Sequence, residues 1–106
     1  MKFICDNCGK EVTLQEGTLS WSDEGNSLRG FRITHKIDQN HSCDPQHVGY
    51  IHLWIVTGLT GFTKFTEILA DYWAKGYTLN DLAGLKKALN QIGLYIWEQS
   101  KKETSN

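Results

Sequence analysis

The chain has 106 residues, of which 40% are hydrophobic and 22% are charged, and this fits a single small globular domain over residues 1–106. Its formal net charge of −1 argues against strong nonspecific attraction to nucleic acid or to an acidic membrane surface. No apolar targeting segment follows Met1, and the longest apolar stretch, residues 50–56, is too short to span a bilayer. Because three cysteines cannot all pair within one chain, we expect free thiols in a reducing compartment and a cytoplasmic protein.

The most informative motif is a CxxC step, which is formed by Cys5 and Cys8 and followed directly by Gly9. Two thiolates at this spacing reach one metal ion from a tight turn, and the small Gly9 lets backbone NH groups turn toward the sulfurs. Buried, inert thiols are the alternative, but the polar Asp6 and Asn7 keep this turn near solvent. A thioredoxin-like motif is not favoured, because only four residues precede Cys5 and a β-type segment follows it. The motif therefore predicts half of a tetrahedral zinc site.

Residues 1–44 are predicted to form β-structure. Short strand segments at residues 11–14 and 17–21 precede a cluster of turn-forming residues at 22–27. From residue 30 to residue 37, apolar and polar side chains alternate, which indicates a second strand. The two strand segments around one turn predict a β-hairpin.

This hairpin supplies a third candidate ligand for the metal. If the chain reverses near Gly25 or Asn26, positions equidistant from the turn face each other, and Cys8 falls opposite residues 42–44. Cys43 is thereby predicted to return beside the CxxC turn. It is the one cysteine outside that turn, so it is the third predicted ligand.

The fourth ligand is left open among three histidines. His35 is preferred because it lies near the end of the second predicted strand, His47 is second, and His41 is third because it stands only two positions before the third cysteine. His35 also shares a strand face with Phe31 and Ile33, so a core histidine that donates to a backbone carbonyl is an equally weighted alternative. The predicted Zn²⁺ ligands are Cys5, Cys8, His35 and Cys43.

Residues 45–106 are predicted to be helical, with Asp44 and Pro45 as the N-cap and first-turn proline of the first segment. The stretch 48–57 is ambiguous. Its apolar residues recur at helical spacing, which favours a helix, but its β-branched and aromatic content would also suit a strand.

Two amphipathic helices are predicted after this stretch, joined by a short link that follows Gly76 and holds a capping box beginning at Thr78. Such a pair predicts an antiparallel helical hairpin. The predicted fold is therefore α+β, with a metal-bound β-hairpin subregion at residues 1–44 packed on a helical subregion at 45–102. The apolar positions are Phe62, Phe65, Leu69 and Tyr72 in the first helix and Leu82, Leu85, Leu89, Ile92 and Ile96 in the second.

The first part of the chain, over about residues 3–44, resembles a zinc-ribbon-type knuckle and hairpin. The resemblance is carried by the CxxC motif with its following glycine, by the two predicted strands, and by the cysteine that comes after them. It departs from the usual four-cysteine pattern, because the second half of the site offers only Cys43. A looser likeness, carried by residues 31–36 and the Cys43-Asp44-Pro45 step, is to small bacterial proteins of uncharacterised role. Neither resemblance implies an activity.

No residue set in the sequence specifies a reaction, so the leading hypothesis is a non-enzymatic zinc-binding protein that contacts another protein or a second copy of itself. Three of the four tryptophans fall in the helical half, where they widen the apolar stripes and predict an aromatic interaction surface. A nucleic-acid-binding or transcription-associated zinc ribbon and a small zinc-dependent hydrolase are the alternatives. Binding to nucleic acid is not favoured, and no membrane partner is expected.

Overall fold

The fold is a mixed α+β arrangement, seen in a computed structural model that describes residues 2–36, 43 and 48–104. In chain order the elements are β1 (Phe3–Ile4), β2 (Glu11–Val12), β3 (Gly17–Asp23), β4 (Ser27–His35), β5 (Gly49–His52), α1 (Leu53–Val56), α2 (Leu59–Ala74), β6 (Thr78–Leu79) and α3 (Leu82–Thr104). A two-stranded sheet, β1–β2, precedes a four-stranded sheet with the order β5-β3-β4-β6.

The predicted long β-hairpin is confirmed as β3 and β4, which pair antiparallel from Gly17 opposite His35 to the turn. Gly25 and Asn26 have φ angles of 54° and 62°, as the two central residues of a type I′ turn require. The hairpin places His35 at the far end of β4. Because the register is fixed by this short turn, the position of His35 relative to β3 is fixed as well.

The preferred helix over residues 48–57 is wrong in its first half. Gly49–His52 forms β5, which pairs antiparallel with β3, and only Leu53–Val56 is helical. Ile51 lies opposite Leu19 and both side chains are buried, whereas Tyr50 on the other face of the strand is exposed. Pairing with β3 satisfies the backbone of this short segment, and that tertiary contact outweighs the helical spacing of its apolar residues.

The two long helices form where apolar spacing predicts them, but the start of the second differs. Thr78 lies in β6, which pairs in parallel with β4, so the capping box predicted at this residue is wrong. The N-cap is Asp81, whose carboxylate accepts a hydrogen bond from the Gly84 NH at 3.0 Å. The first helix ends at Ala74, and Gly76 takes the predicted position after the C-cap, with a φ of 88° and its NH donating to the Trp73 carbonyl.

The predicted pairing of these helices in a helical hairpin stays a prediction. Among the described residues, α2 packs mainly on α1, and α3 packs mainly on β4. The core lies between the inner face of the four-stranded sheet and the helices, with the Trp21 ring 5.6 Å from that of Phe65 on α2. None of the helices in this part of the chain is both long and apolar enough to cross a membrane.

Two helical glycines offer a matched test of this packing. A Cβ added at Gly61 would overlap the backbone carbonyl of Ile55, where α1 and α2 touch, whereas a Cβ added at Gly93 on α3 meets nothing within 4 Å. We expect Gly61→Ala to lower the free energy of unfolding by about 1 to 3 kcal/mol, because the Ile55 backbone cannot move aside without disturbing the packing of the helices. Gly93→Ala should raise it by about 0.5 to 1 kcal/mol through helix propensity. Urea denaturation measures both, and equal effects at the two positions would contradict the packing described.

Candidate metal centre

The CxxC motif occupies the turn between β1 and β2. The Cys5 NH donates to the Lys10 carbonyl at 2.8 Å, and the Gly9 NH donates to the Cys5 carbonyl at 3.0 Å. Gly9 has a φ of 76°, in the left-handed region that its lack of a side chain makes accessible. With the turn closed in this way, the Cys8 NH lies 3.4 Å from the Cys5 sulfur. The turn therefore directs a backbone NH at one sulfur, as the small residue after the motif predicts.

The four predicted ligands converge in the folded chain. One ligand atom from each of them lies within 4.8 Å of every other, and together they could hold a metal ion. The His35 Nδ1 is 3.5 Å from the Cys8 sulfur and 3.8 Å from the Cys43 sulfur. The converging residues are Cys5, Cys8, His35 and Cys43. The other two histidines weighed for the fourth position, His41 and His47, lie outside the described residues.

The second ring nitrogen of His35 fixes how the imidazole faces this cluster. Its Nε2 lies 3.0 Å from the Glu11 carbonyl oxygen, which can only accept, so Nε2 carries the proton and donates it. With the proton on Nε2, the lone pair of Nδ1 points at the sulfurs. A histidine held by a carbonyl through one nitrogen and aimed at a metal through the other is the usual arrangement of a protein ligand. The carbonyl contact expected of a core histidine and the position expected of a metal ligand thus involve different nitrogens of one ring, which is only half-buried.

Burial is unequal across the cluster. Cys5 is 1% exposed and Cys43 is 7% exposed, whereas Cys8 lies at the surface. Two sulfurs are therefore embedded in the domain, and the third closes the site from the solvent side. Asp6 and Asn7, between the cysteines, are exposed, in agreement with a turn near solvent.

The CxxC turn reaches the end of β4 by a route that differs from the predicted one. A turn separates the two predicted strand segments, β2 and β3, and in this turn the Glu16 NH donates to the Thr13 carbonyl at 3.1 Å. The β1–β2 hairpin folds back, and the Asp6 NH donates to the Ile33 carbonyl at 2.8 Å. The turn is thus held beside β4, close to His35, by contacts that the simple register argument did not include.

Asp6 ties the turn to two other elements. Its carboxylate accepts the Ile33 NH at 2.8 Å and forms a 3.0 Å ion pair with Lys87 on α3. The Ile33 NH would otherwise lose its partner, so this neutral-to-charged hydrogen bond is the stronger link. The ion pair is largely exposed at its lysine end and contributes little by comparison. Sequence reasoning recognised Asp6 only as a polar neighbour of the cysteines and did not single out Lys87.

The two buried thiols of the cluster, Cys5 and Cys43, differ in their pKa values. Burial opposes ionisation of Cys5, but hydrogen bonds with backbone groups of Cys8, His35 and Asn7 outweigh it and lower the pKa of Cys5 to about 6. Burial, together with the hydrogen bonds of the neighbouring Cys5 and Cys8 side chains, raises the pKa of Cys43 to about 11. The cluster thus accepts one negative charge readily and resists a second. A cation bound between the sulfurs would remove that repulsion.

Comparisons with models of known protein families, with curated proteins and with solved structures find no match. The interpretation of the site therefore depends on its own geometry.

The two contacts of the Asp6 carboxylate make a testable pair. We expect Asp6→Ala to lower the free energy of unfolding by about 1 to 3 kcal/mol, because the Ile33 NH loses its acceptor. Lys87→Ala should cost less than about 1 kcal/mol, because it removes only a solvent-screened ion pair. Urea denaturation of the two variants measures the difference. Equal losses would show that the ion pair, and not the backbone contact, holds the turn.

Proposed function

We propose that this chain is a small non-enzymatic zinc-binding protein in which one ion, held by Cys5, Cys8, His35 and Cys43, is structural. The observation that carries the proposal is the convergence of four ligand atoms within 4.8 Å. Three sulfurs and one imidazole nitrogen form a ligand set that suits zinc, which takes four such ligands in a tetrahedron. The free thiols suit a reducing compartment such as the cytoplasm, where they stay available to a metal.

A structural role fits this ligand set better than a catalytic one. Catalytic zinc keeps a coordination position for water, whereas four protein ligands fill the tetrahedron. The β1–β2 hairpin has only two residues in each strand, and so small a hairpin is not stable alone. Zinc that joins this hairpin to the end of β4 and to Cys43 would contribute on the order of 10 kcal/mol to folding. The resulting unit would be a zinc-ribbon-like knuckle whose second half is one histidine and one cysteine.

Metal content and ligand type test this proposal together. We expect the purified protein to bind one Zn²⁺ per chain and X-ray absorption at the zinc edge to count three sulfurs and one nitrogen, as the cluster contains. Cys5→Ser, Cys8→Ser and Cys43→Ser should each release most of the metal, because each removes a thiolate from a saturated shell. Full metal content in Cys8→Ser would contradict the assignment.

The histidine ligand has a matched control in the same chain. His35→Gln should weaken zinc binding by at least tenfold, a loss typical of a removed ligand or its support. His52→Gln should leave zinc binding unchanged, because His52 lies outside the cluster and stacks on the Trp54 ring. Competition with a chromophoric chelator measures both affinities.

Removal of the zinc by a chelator should also loosen the CxxC hairpin. We expect faster amide exchange over residues 3–12 after chelation, and unchanged exchange there would contradict a structural role.

We further propose that this module contacts another protein or a second copy of itself through α3. Leu94 and Trp97 stand one turn apart on this helix and are 55% and 51% exposed, which leaves a sizeable apolar surface in water. The nucleic-acid alternative gains less support. Phe31, the ring that would stack on a base from β4, is 4% exposed and belongs to the core.

Light scattering at several concentrations tests the self-association. We expect the average mass to rise above the 12.1 kDa of one chain as concentration increases. Trp97→Ala should reduce that rise, because it removes an exposed aromatic side chain from the proposed surface. Trp73→Ala is the control, since Trp73 is more exposed than Trp97, at 73%, but lies on α2. A constant monomer mass would show that the contact is not between copies of this chain.

A further inference from the structure

The exposed side of α3 has a recess at one glycine. The described helices contain three glycines, and two of them lie against a neighbouring element. A Cβ added at Gly61 would overlap the Ile55 carbonyl, and a Cβ added at Gly84 would lie 2.9 Å from the Phe31 carbonyl oxygen. Gly93 differs, because a Cβ added there would have no atom of the described residues within 4 Å.

A glycine inside a helix calls for a structural reason. After proline it is the least favourable residue in a helix, because its backbone has the most freedom to lose. At the other two positions, close packing within the chain supplies the reason. At Gly93 the described part of the chain supplies none, and a second chain that approaches α3 closely at this residue would do so.

Two large apolar side chains stand beside this recess. Leu94 and Trp97 are 55% and 51% exposed. Trp97 follows Gly93 by four residues, so the two lie on one face of the helix, about 6 Å apart along its axis. The Lys101 ammonium lies 5.0 Å from the centre of the Trp97 ring, whereas Gly93 stays uncovered. The helix therefore presents a projecting ring and an open recess one turn apart.

A projection and a recess on one face can fit a second copy of the same face. In a twofold contact each surface patch meets itself, with its two parts on opposite sides of the axis. If two α3 helices pack antiparallel with the axis at the level of Tyr95, Trp97 of each copy meets Gly93 of the other. In the same register Asn90 of one copy lies opposite Ser100 of the other, and both of these residues are uncharged.

The charge distribution along α3 permits this contact. Residues 88–97 contain no charged side chain, so the centre of a twofold contact brings no like charges together. Lys86 and Lys101 are exposed and stand beyond the two ends of this stretch, where solvent screens their repulsion. An acidic partner would be favoured by a basic centre, which this face lacks.

From these observations we propose that the partner of α3 is a second copy of this chain, packed antiparallel with the Trp97 ring of each copy seated on Gly93 of the other. This inference rests on the proposed contact through α3 and names its occupant. Two single helix faces bury less surface than a standard interface of about 1,600 Å². The dimer is therefore weak, and its population depends on concentration.

Sedimentation equilibrium of the full chain tests the role of the recess. We expect Gly93→Leu to weaken the dimer by about tenfold, because its side chain fills the space that receives the ring. If the apolar surface were only adhesive, the added leucine would strengthen association instead. Ala83→Leu is the matched control, since Ala83 is exposed on the same helix ten residues earlier and should leave the dissociation constant unchanged. Urea denaturation of both variants shows that each chain still folds.

Photo-crosslinking tests the antiparallel arrangement. A chain with Trp97→benzoylphenylalanine is mixed with the original chain labelled with nitrogen-15 and irradiated. Crosslinks between unlabelled and labelled peptides are then mapped by mass spectrometry. We expect attachment to residues 90–94 of the labelled copy. Parallel helices would instead direct attachment to residues 97–101.

Three results would overturn the proposal: a monomer mass at every concentration, a dimer that Gly93→Leu leaves unchanged or strengthens, or attachment to residues 97–101 of the labelled copy. The effect of Trp97→Ala separates the two proposals. A dimer that is weakened by Trp97→Ala but not by Gly93→Leu would overturn this arrangement alone. A dimer that neither substitution weakens would overturn the self-association through α3 as well.

Discussion

The reciprocal hydrogen bonds between Asp6 and Ile33 hold the CxxC turn against β4, and the convergence of the four ligands depends on them. The Asp6 NH donates to the Ile33 carbonyl, and the Asp6 carboxylate accepts the Ile33 NH. One residue of the turn thus behaves like a short added strand at the edge of β4. Since His35 is only two residues further along β4, this contact sets the distance between the cysteine pair and the histidine.

The sheet edge beside the site is supported by the packed core of the domain. The β3–β4 hairpin, with Trp21 packed against Phe65, is the best-buried part of the structure and supplies a rigid strand under the site. The β1–β2 hairpin is by contrast small and partly exposed. The two regions therefore differ in what holds them together: apolar packing in the sheet and helices, and convergent ligand groups in the amino-terminal turn.

Much of this arrangement could be predicted from the sequence, because the signals concerned are local. The alternation along β4 and the turn formers around Gly25 predict the hairpin, and the CxxC spacing predicts the knuckle. Other features depend on groups far apart in sequence. β5 is a strand because β3 lies beside it, and Thr78 extends the sheet because β4 is there to pair with it. The carbonyl that orients His35 belongs to the backbone of Glu11, so this contact could not be predicted from the type of any side chain.

The ion pair between Asp6 and Lys87 joins residues 81 positions apart. During synthesis the cysteine turn leaves the ribosome before the helix that carries Lys87. The parallel pairing of β6 with β4 follows the same order, since one partner emerges long before the other. A nascent chain therefore exposes the thiols of the CxxC turn until the later strand and helix that contact this turn have been made, so the turn is completed only after those elements.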